Sequence, residues 1–203
     1  MLEIKTFVFG SFGTNMYVVS DDKQRAILID PACSSPYEQQ ILLNYLNTNH
    51  LNVQTIVATH GHLDHLWGAP WACRYFNLPV LMHEADIPMA QHMQTQYDLW
   101  GIPATAELFP VEPLSESLRF HLSPFRIIST PGHTQGGICL YSEQDHALFS
   151  GDTLFRHGYG RTDLPGGDVH QLIQSLRKLL LLPPETHVYP GHGEPTTIGE
   201  EKY

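Results

Sequence analysis

Thr59-His60-Gly61-His62-Leu63-Asp64-His65 follows directly on Val53-Gln54-Thr55-Ile56-Val57-Ala58, and this junction decides how the chain reads. The β-branched run 53–58 has the makings of a buried strand. Alternation in an extended segment throws His60 and His62 to the same side, while Asp64 and His65 fall where the chain turns into a helix expected over 66–76. Two imidazoles followed by a carboxylate–imidazole pair at this spacing can serve two neighbouring metal ions. The donor types suit zinc first; imidazole also suits iron, and manganese tolerates carboxylate.

Three further candidates lie far along the chain, each in a Gly-rich turn after an expected strand: Pro131-Gly132-His133, Gly151-Asp152 and Pro190-Gly191-His192-Gly193. A ligand at the carboxyl end of a strand is aimed into the crevice where open α/β sheets bind their ligands. Flanking glycines let the backbone approach a crowded centre. Each residue also has an ordinary reading: Asp64 as a helix N-cap, Asp152 as a turn aspartate, His133 and His192 as solvated loop residues. The set outweighs these, because four clustered donors and three isolated ones at strand ends are hard to assemble without a metal centre.

The composition agrees. Thirteen of 203 residues are histidine, about three times average usage. The net charge of −10 leaves no basic stripe for a phosphate backbone, so nucleic acid is not an expected partner. Cys33, Cys73 and Cys139 form no Cys-x-x-Cys pair and read as reduced thiols of a cytoplasmic chain. No export signal and no membrane-spanning run is evident.

Around the histidine segment, short apolar runs at 5–9, 16–20, 26–29, 80–82, 119–121, 125–129, 138–141, 146–149 and 187–189 are expected strands. Helices are expected over 37–48 and 169–182, the latter ended by Pro183-Pro184, with helical spacing also from Glu84 to Trp100. Strands interleaved with helices, without linker or repeat, make residues 1–203 one α/β domain. Within 84–100, Met89, Met93, Tyr97 and Trp100 form a stripe that reads as core or as a wall of the cleft.

Thr-His-x-His-x-Asp-His, Thr-Pro-Gly-His-Thr-x-Gly, Gly-Asp-Thr-Leu-Phe and Tyr-Pro-Gly-His-Gly, in that order, resemble the metallo-β-lactamase superfamily. The run Gly160-Arg161-Thr162-Asp163-Leu164-Pro165-Gly166-Gly167-Asp168 is similar to short, glyoxalase II-like hydrolases. The resemblance implies a four-layer αβ/βα sandwich, two mixed sheets flanked by helices, with two metals at one edge between the sheets. Carried over by position, it puts His60, His62 and His133 on the first metal and Asp64, His65 and His192 on the second. Asp152 would bridge them, and Asp30 matches an acid that supports a metal ligand from behind.

Two close cations lower the pKa of a shared water and polarise a carbonyl, so the resemblance implies hydrolysis without a protein nucleophile. The chain indeed has no Gly-x-Ser-x-Gly elbow. The expected substrate is a small acyl thioester, with Asp64 orienting the attacking hydroxide. Arg161 stands where the glyoxalase II family places a basic residue on a glutathione carboxylate, but Asp163 and Glu194 replace the tyrosines expected nearby, and Arg161 could equally be a local partner of Asp163. The expected form also lacks the C-terminal helical region that grips glutathione. Two other readings compete: a mononuclear-iron persulfide dioxygenase using only the first ligand set, and a non-catalytic metal-binding protein on the same fold.

Overall fold

The computed structural model describes residues 2–114 and 125–202, so the strand expected at 119–121 lies outside the described residues. Apolar runs and turns build β1 (Glu3–Phe9), β2 (Thr14–Ser20) and β3 (Arg25–Ile29) as an antiparallel meander. A capping box between Ser35 and Glu38, with Pro36 in the first turn, starts α1 (Pro36–Thr48) and returns the chain for β4 (Asn52–Val57), parallel to β3.

The helix expected over 66–76 is two helices, α2 (Leu63–Leu66) and α3 (Ala69–Phe76). Pro70 has no N–H to continue the first helix, and Gly68 lies so close to the 31–33 backbone that a Cβ would sit 2.6 Å from the Cys33 carbonyl oxygen. β5 (Val80–Met82) follows. The helical spacing of 84–100 likewise breaks, into a 3-10 turn at Glu84–Asp86, α4 (Ile87–Gln91) with Pro88 in its first turn, and α5 (Met93–Leu99). β6 (Val111–Pro113) completes a sheet of order β1-β2-β3-β4-β5-β6.

The second half adds β7 (Arg126–Ser129), β8 (Ile138–Ser142), β9 (Ala147–Gly151), a small hairpin of β10 (Leu154–Phe155) and β11 (Gly158–Tyr159), α6 (Val169–Leu179), β12 (His187–Pro190) and β13 (Thr196–Thr197). Its main sheet runs β13-β12-β9-β8-β7, with β12 and β9 parallel and the other pairs antiparallel. Asp168 caps α6 by accepting from the His170 and Gln171 backbone N–H groups.

Three cores define four layers. Tyr17, Val19, Ile27, Ile29 and Val57 of one sheet meet Ile138, Leu140 and Phe149 of the other. The alternate residues Met16, Val18 and Leu28 face the helices with Leu42 and Leu66, while Cys139, Tyr141 and Val188 face α6 through Leu179. Strands buried on both faces read as continuous apolar runs, which is why they were legible by hydrophobicity rather than by alternation. This is the expected αβ/βα sandwich with two mixed sheets and flanking helices. Among the described residues no helix is long and apolar enough to cross a membrane.

All three cysteines are buried and unbridged. Burial pushes the Cys33 thiol up to about 12 and those of Cys73 and Cys139 to about 11. Because the thiolate is the reactive form, the folded protein is expected to leave Ellman's reagent untouched at pH 8 and to react at all three cysteines once denatured. Rapid reaction of any cysteine in the native protein would contradict this packing.

Candidate metal centre

The strands that carry the candidate residues all end at one edge of the sandwich. His60 follows β4 and Asp30 follows β3 in the first sheet; His133, Asp152 and His192 follow β7, β9 and β12 in the second. All seven expected donors converge there. His60, His62 and His133 form one group, Asp64, His65 and His192 another, and His60, His65 and Asp152 join them, the donor atoms of each group lying within 4.8 Å of one another. Asp152 spans the two ends, with Oδ2 3.4 Å from His133 Nε2 and 3.5 Å from His192 Nε2.

The hydrogen bonds on the outer side dictate which nitrogen of each ring is free. The buried Asp30 carboxylate accepts from the Thr59 backbone N–H (2.6 Å), the Thr59 hydroxyl (2.8 Å) and His65 Nδ1–H (2.9 Å). Because Thr59 donates its hydroxyl proton to Asp30, its oxygen accepts from His60 Nδ1–H at 3.0 Å. The Arg161 carbonyl can only accept, so His133 Nδ1, 2.7 Å away, carries a proton too. His60, His65 and His133 therefore all present an unprotonated Nε2 to the centre in their neutral forms.

Inside, the buried His60 Nε2 and Asp152 Oδ1 have no hydrogen-bond partner among the described residues, the nearest ring nitrogen to Asp152 Oδ1 in an ion pair being His65 Nε2 at 3.3 Å. His62 Nδ1 lies 2.8 Å from His133 Nε2, and His65 Nε2 lies 3.3 Å from His192 Nε2. Buried donors and acceptors are ordinarily satisfied, and ring nitrogens crowded this closely on one another and on carboxylate oxygens are a donor set that a cation would gather. Five neutral imidazoles and two carboxylates fit two divalent ions.

Electrostatics follow the same division. Burial, then the neighbouring His65 and His133, holds His60 well below its ordinary value, and burial with His133 lowers His62 to about 3. Burial opposes the charged form of His65 also, but Asp64, Asp152 and Asp30 outweigh it and hold that ring well above its usual range. Burial would raise Asp64 and Asp152, yet the surrounding histidines keep both carboxyls below their ordinary value. The two aspartates thus remain anionic, ready to accept a metal or a proton.

Asp64 is not an N-cap. His62 holds the cap position of α2 without a side-chain bond, and Asp64 Oδ2 instead accepts from Thr14 Oγ1 at 2.8 Å. Arg161 forms a two-pronged pair with Asp163 (2.7 and 2.6 Å) at the mouth of the site, the local pairing that competed with a carboxylate anchor. His157, 70% exposed in its side chain beside Glu201, stays outside the cavity. The stripe divides: Met93 is core, Tyr97 packs on that core, and Met89 and Trp100 line an open groove beside the metal cavity.

Other residues shape the centre without any motif to announce them. Asp86, 1% exposed, accepts from the Gly61 backbone N–H (2.9 Å), the Thr134 hydroxyl (2.7 Å) and the Gly136 backbone N–H (2.6 Å), tying the loop of His60 and His62 to that of His133. Gln96 accepts from Leu63 N–H and donates to the Gly61 carbonyl, both at 2.9 Å. Asn15 Nδ2 donates to the Pro190 and Gly193 carbonyls, flanking His192. Polar Thr14 and Asn15 opening an otherwise apolar strand were the one signal available in advance. The turn glycines do serve close approach: a Cβ on Gly191 would lie 2.1 Å from Asp152 Oδ1.

A family model, the Metallo-beta-lactamase superfamily, matches residues 10–192. The chain belongs to the metallo-beta-lactamase superfamily. Hydroxyacylglutathione hydrolase GloC of Haemophilus influenzae is 33% identical over 206 residues, covering 99% of this chain and 95% of that protein. Among solved structures, BLEG-1 B3 metallo-beta-lactamase superposes with a TM-score of 0.87 at 32% identity, covering 98% of this chain and 96% of that one. TTHA1623 in a di-iron-bound form gives 0.86 at 36% identity, covering 97% and 96%. The chain is accordingly a metal-dependent hydrolase of this superfamily, with histidine and aspartate clusters suited to a dinuclear centre.

Replacing Asp30 by Asn leaves one acceptor where three donors now meet. Outer partners of this kind typically carry about 10–100-fold in metal affinity. Asp30→Asn is therefore expected to weaken binding by that order in a chelator competition, and unchanged affinity would refute its role in aiming His60 and His65.

Proposed function

We propose that this chain is a dinuclear metal-dependent thioesterase of the hydroxyacylglutathione hydrolase type, cleaving a small acyl thioester. In this reading His60, His62 and His133 would hold one ion and Asp64, His65 and His192 the other, with Asp152 placed to serve both. Zinc is the first choice of metal, and iron or manganese fits the same donors. The observation that carries the reading is the pair of buried atoms His60 Nε2 and Asp152 Oδ1, without a hydrogen-bond partner among the described residues, at the meeting point of three locked imidazoles. Two cations in such a site lower the pKa of water and polarise a carbonyl oxygen.

The chain's own groups supply the rest. Asp64, kept ionised and held by Thr14, is an oriented acceptor for a proton of the attacking water. His192 and Asp64, with 28% and 15% of their side chains exposed, line the open side from which substrate arrives. A metal cavity of about 150 Å³ lined also by Phe12 and Trp100 admits a small group and limits bulk water. The resemblance to hydroxyacylglutathione hydrolase GloC supports a thioester substrate, and the unbridged, buried thiols support a reducing cytoplasm. The dioxygenase alternative uses only the first histidine group; the equally assembled second group favours hydrolysis.

Metal analysis of the purified protein is expected to give about two ions per chain, with turnover of a thioester panel that includes lactoylglutathione. His62→Ala or Asp64→Ala should cost on the order of a thousandfold in kcat/KM, as loss of several kcal/mol of transition-state stabilisation implies. One iron per chain, oxygen consumption and no thioester cleavage would overturn the proposal.

A further inference from the structure

Beside the metal cavity runs a second, larger depression of about 300 Å³, walled by Pro88, Met89, Leu99, Trp100, Leu164 and Pro165. It opens into the metal cavity, since His62, Gln96, Trp100 and Leu164 line both. Among the described residues no Lys, Arg, Asp or Glu lines it, and of its two histidines, His62 belongs to the shared wall and His92 turns Nδ1 to the Pro88 carbonyl at 2.7 Å. Leu99 remains 60% and Trp100 41% exposed there. Large apolar groups left open next to a reactive centre mark a surface that a ligand covers.

We propose that this groove is the acyl-chain subsite, and that among thioesters cleavage is favoured by a medium-length apolar acyl chain that fills it. The inference rests on the thioesterase reading above and names the acyl class. Biological thiol carriers are polar or charged along their length, so the only part of a thioester that matches an uncharged, apolar groove is its acyl chain. The polar side of the metal cavity, with Asp64, Arg161 and His192, is left for the carrier. Met89, whose Sδ lies against the 60–62 loop, provides an adaptable floor.

Taking a methylene at roughly the ~30 Å³ of a water molecule, the groove accommodates about eight to ten carbons. Each buried methylene contributes about fourfold in binding or in kcat/KM.

The test uses the metal-loaded protein and saturated acyl thioesters of two to fourteen carbons on one carrier, N-acetylcysteamine. In parallel, the free carboxylic acids are titrated by tryptophan fluorescence, which needs no turnover. Both kcat/KM and acid affinity should climb about fourfold per methylene and level off near eight to ten carbons. Thr95→Trp, which fills the groove from α5, should move the plateau to shorter chains, and Leu99→Ala should flatten the climb. Thioester turnover without chain-length dependence would overturn the subsite while leaving the hydrolase reading intact, as would a dependence that neither variant alters. Acids that bind with the expected climb and shift, in a protein that cleaves no thioester, would support the groove and refute the hydrolase reading instead.

Discussion

The Asp30 carboxylate is the contact on which the centre depends. Burying an anion is costly unless its lone pairs are filled, and here the Thr59 backbone, the Thr59 hydroxyl and His65 fill them. Asp30 itself adopts a left-handed backbone, φ 55°, at the end of β3, and its N–H bonds the Val57 carbonyl at the end of β4. A strained position of this kind persists only where its surroundings over-determine it. The register of two parallel strands is thereby converted into the tautomer and direction of two imidazoles, His60 and His65.

The remaining donors come from the opposite sheet, so the centre requires the two sheets to stay packed. Phe149 and Tyr189 stack in and beside the core between them, and Tyr17 of β2 meets both rings while its hydroxyl bonds the Pro190 carbonyl. Asn15 on the same strand grips the loop of His192, and Asp86 spans from the His62 loop to the His133 loop. Packing between sheets and the geometry of the metal centre are therefore one problem: a shift of either sheet separates the two groups of donors. The centre opens past His62, Asp64 and His192, and His62 stands where the apolar groove meets the polar mouth.

What the sequence disclosed in advance follows from how locally each feature is encoded. His60, His62, Asp64 and His65 are close together in sequence, and the isolated donors sit in Gly-rich turns, so a shared metal centre was legible from the residues, whereas the four-layer sandwich came from the resemblance that the ordered motifs carry. Helix continuity through Gly68, Asp86 and His92 was not legible, because apolar spacing survives across the breaks that Pro70 and Pro88 impose at the first two and across the departure from helical geometry at His92 (φ −105°, ψ 37°). Asp86 and Gln96 were invisible for a different reason. Each is an ordinary polar residue of a helical stretch, and its importance lies in partners 25 to 50 positions away. The Met89–Trp100 stripe had two readings because helical spacing reports a shared face and not what covers it; its members in fact divide between core and groove.

The most direct measurement is a crystal structure of the metal-loaded protein with anomalous data collected at the metal edge. Two anomalous peaks about 3.5–4 Å apart are expected, one against His60, His62 and His133, the other against Asp64, His65 and His192, with Asp152 reaching both. A single fully occupied peak at the His60, His62 and His133 group, with the second group bound only to water, would contradict the dinuclear centre.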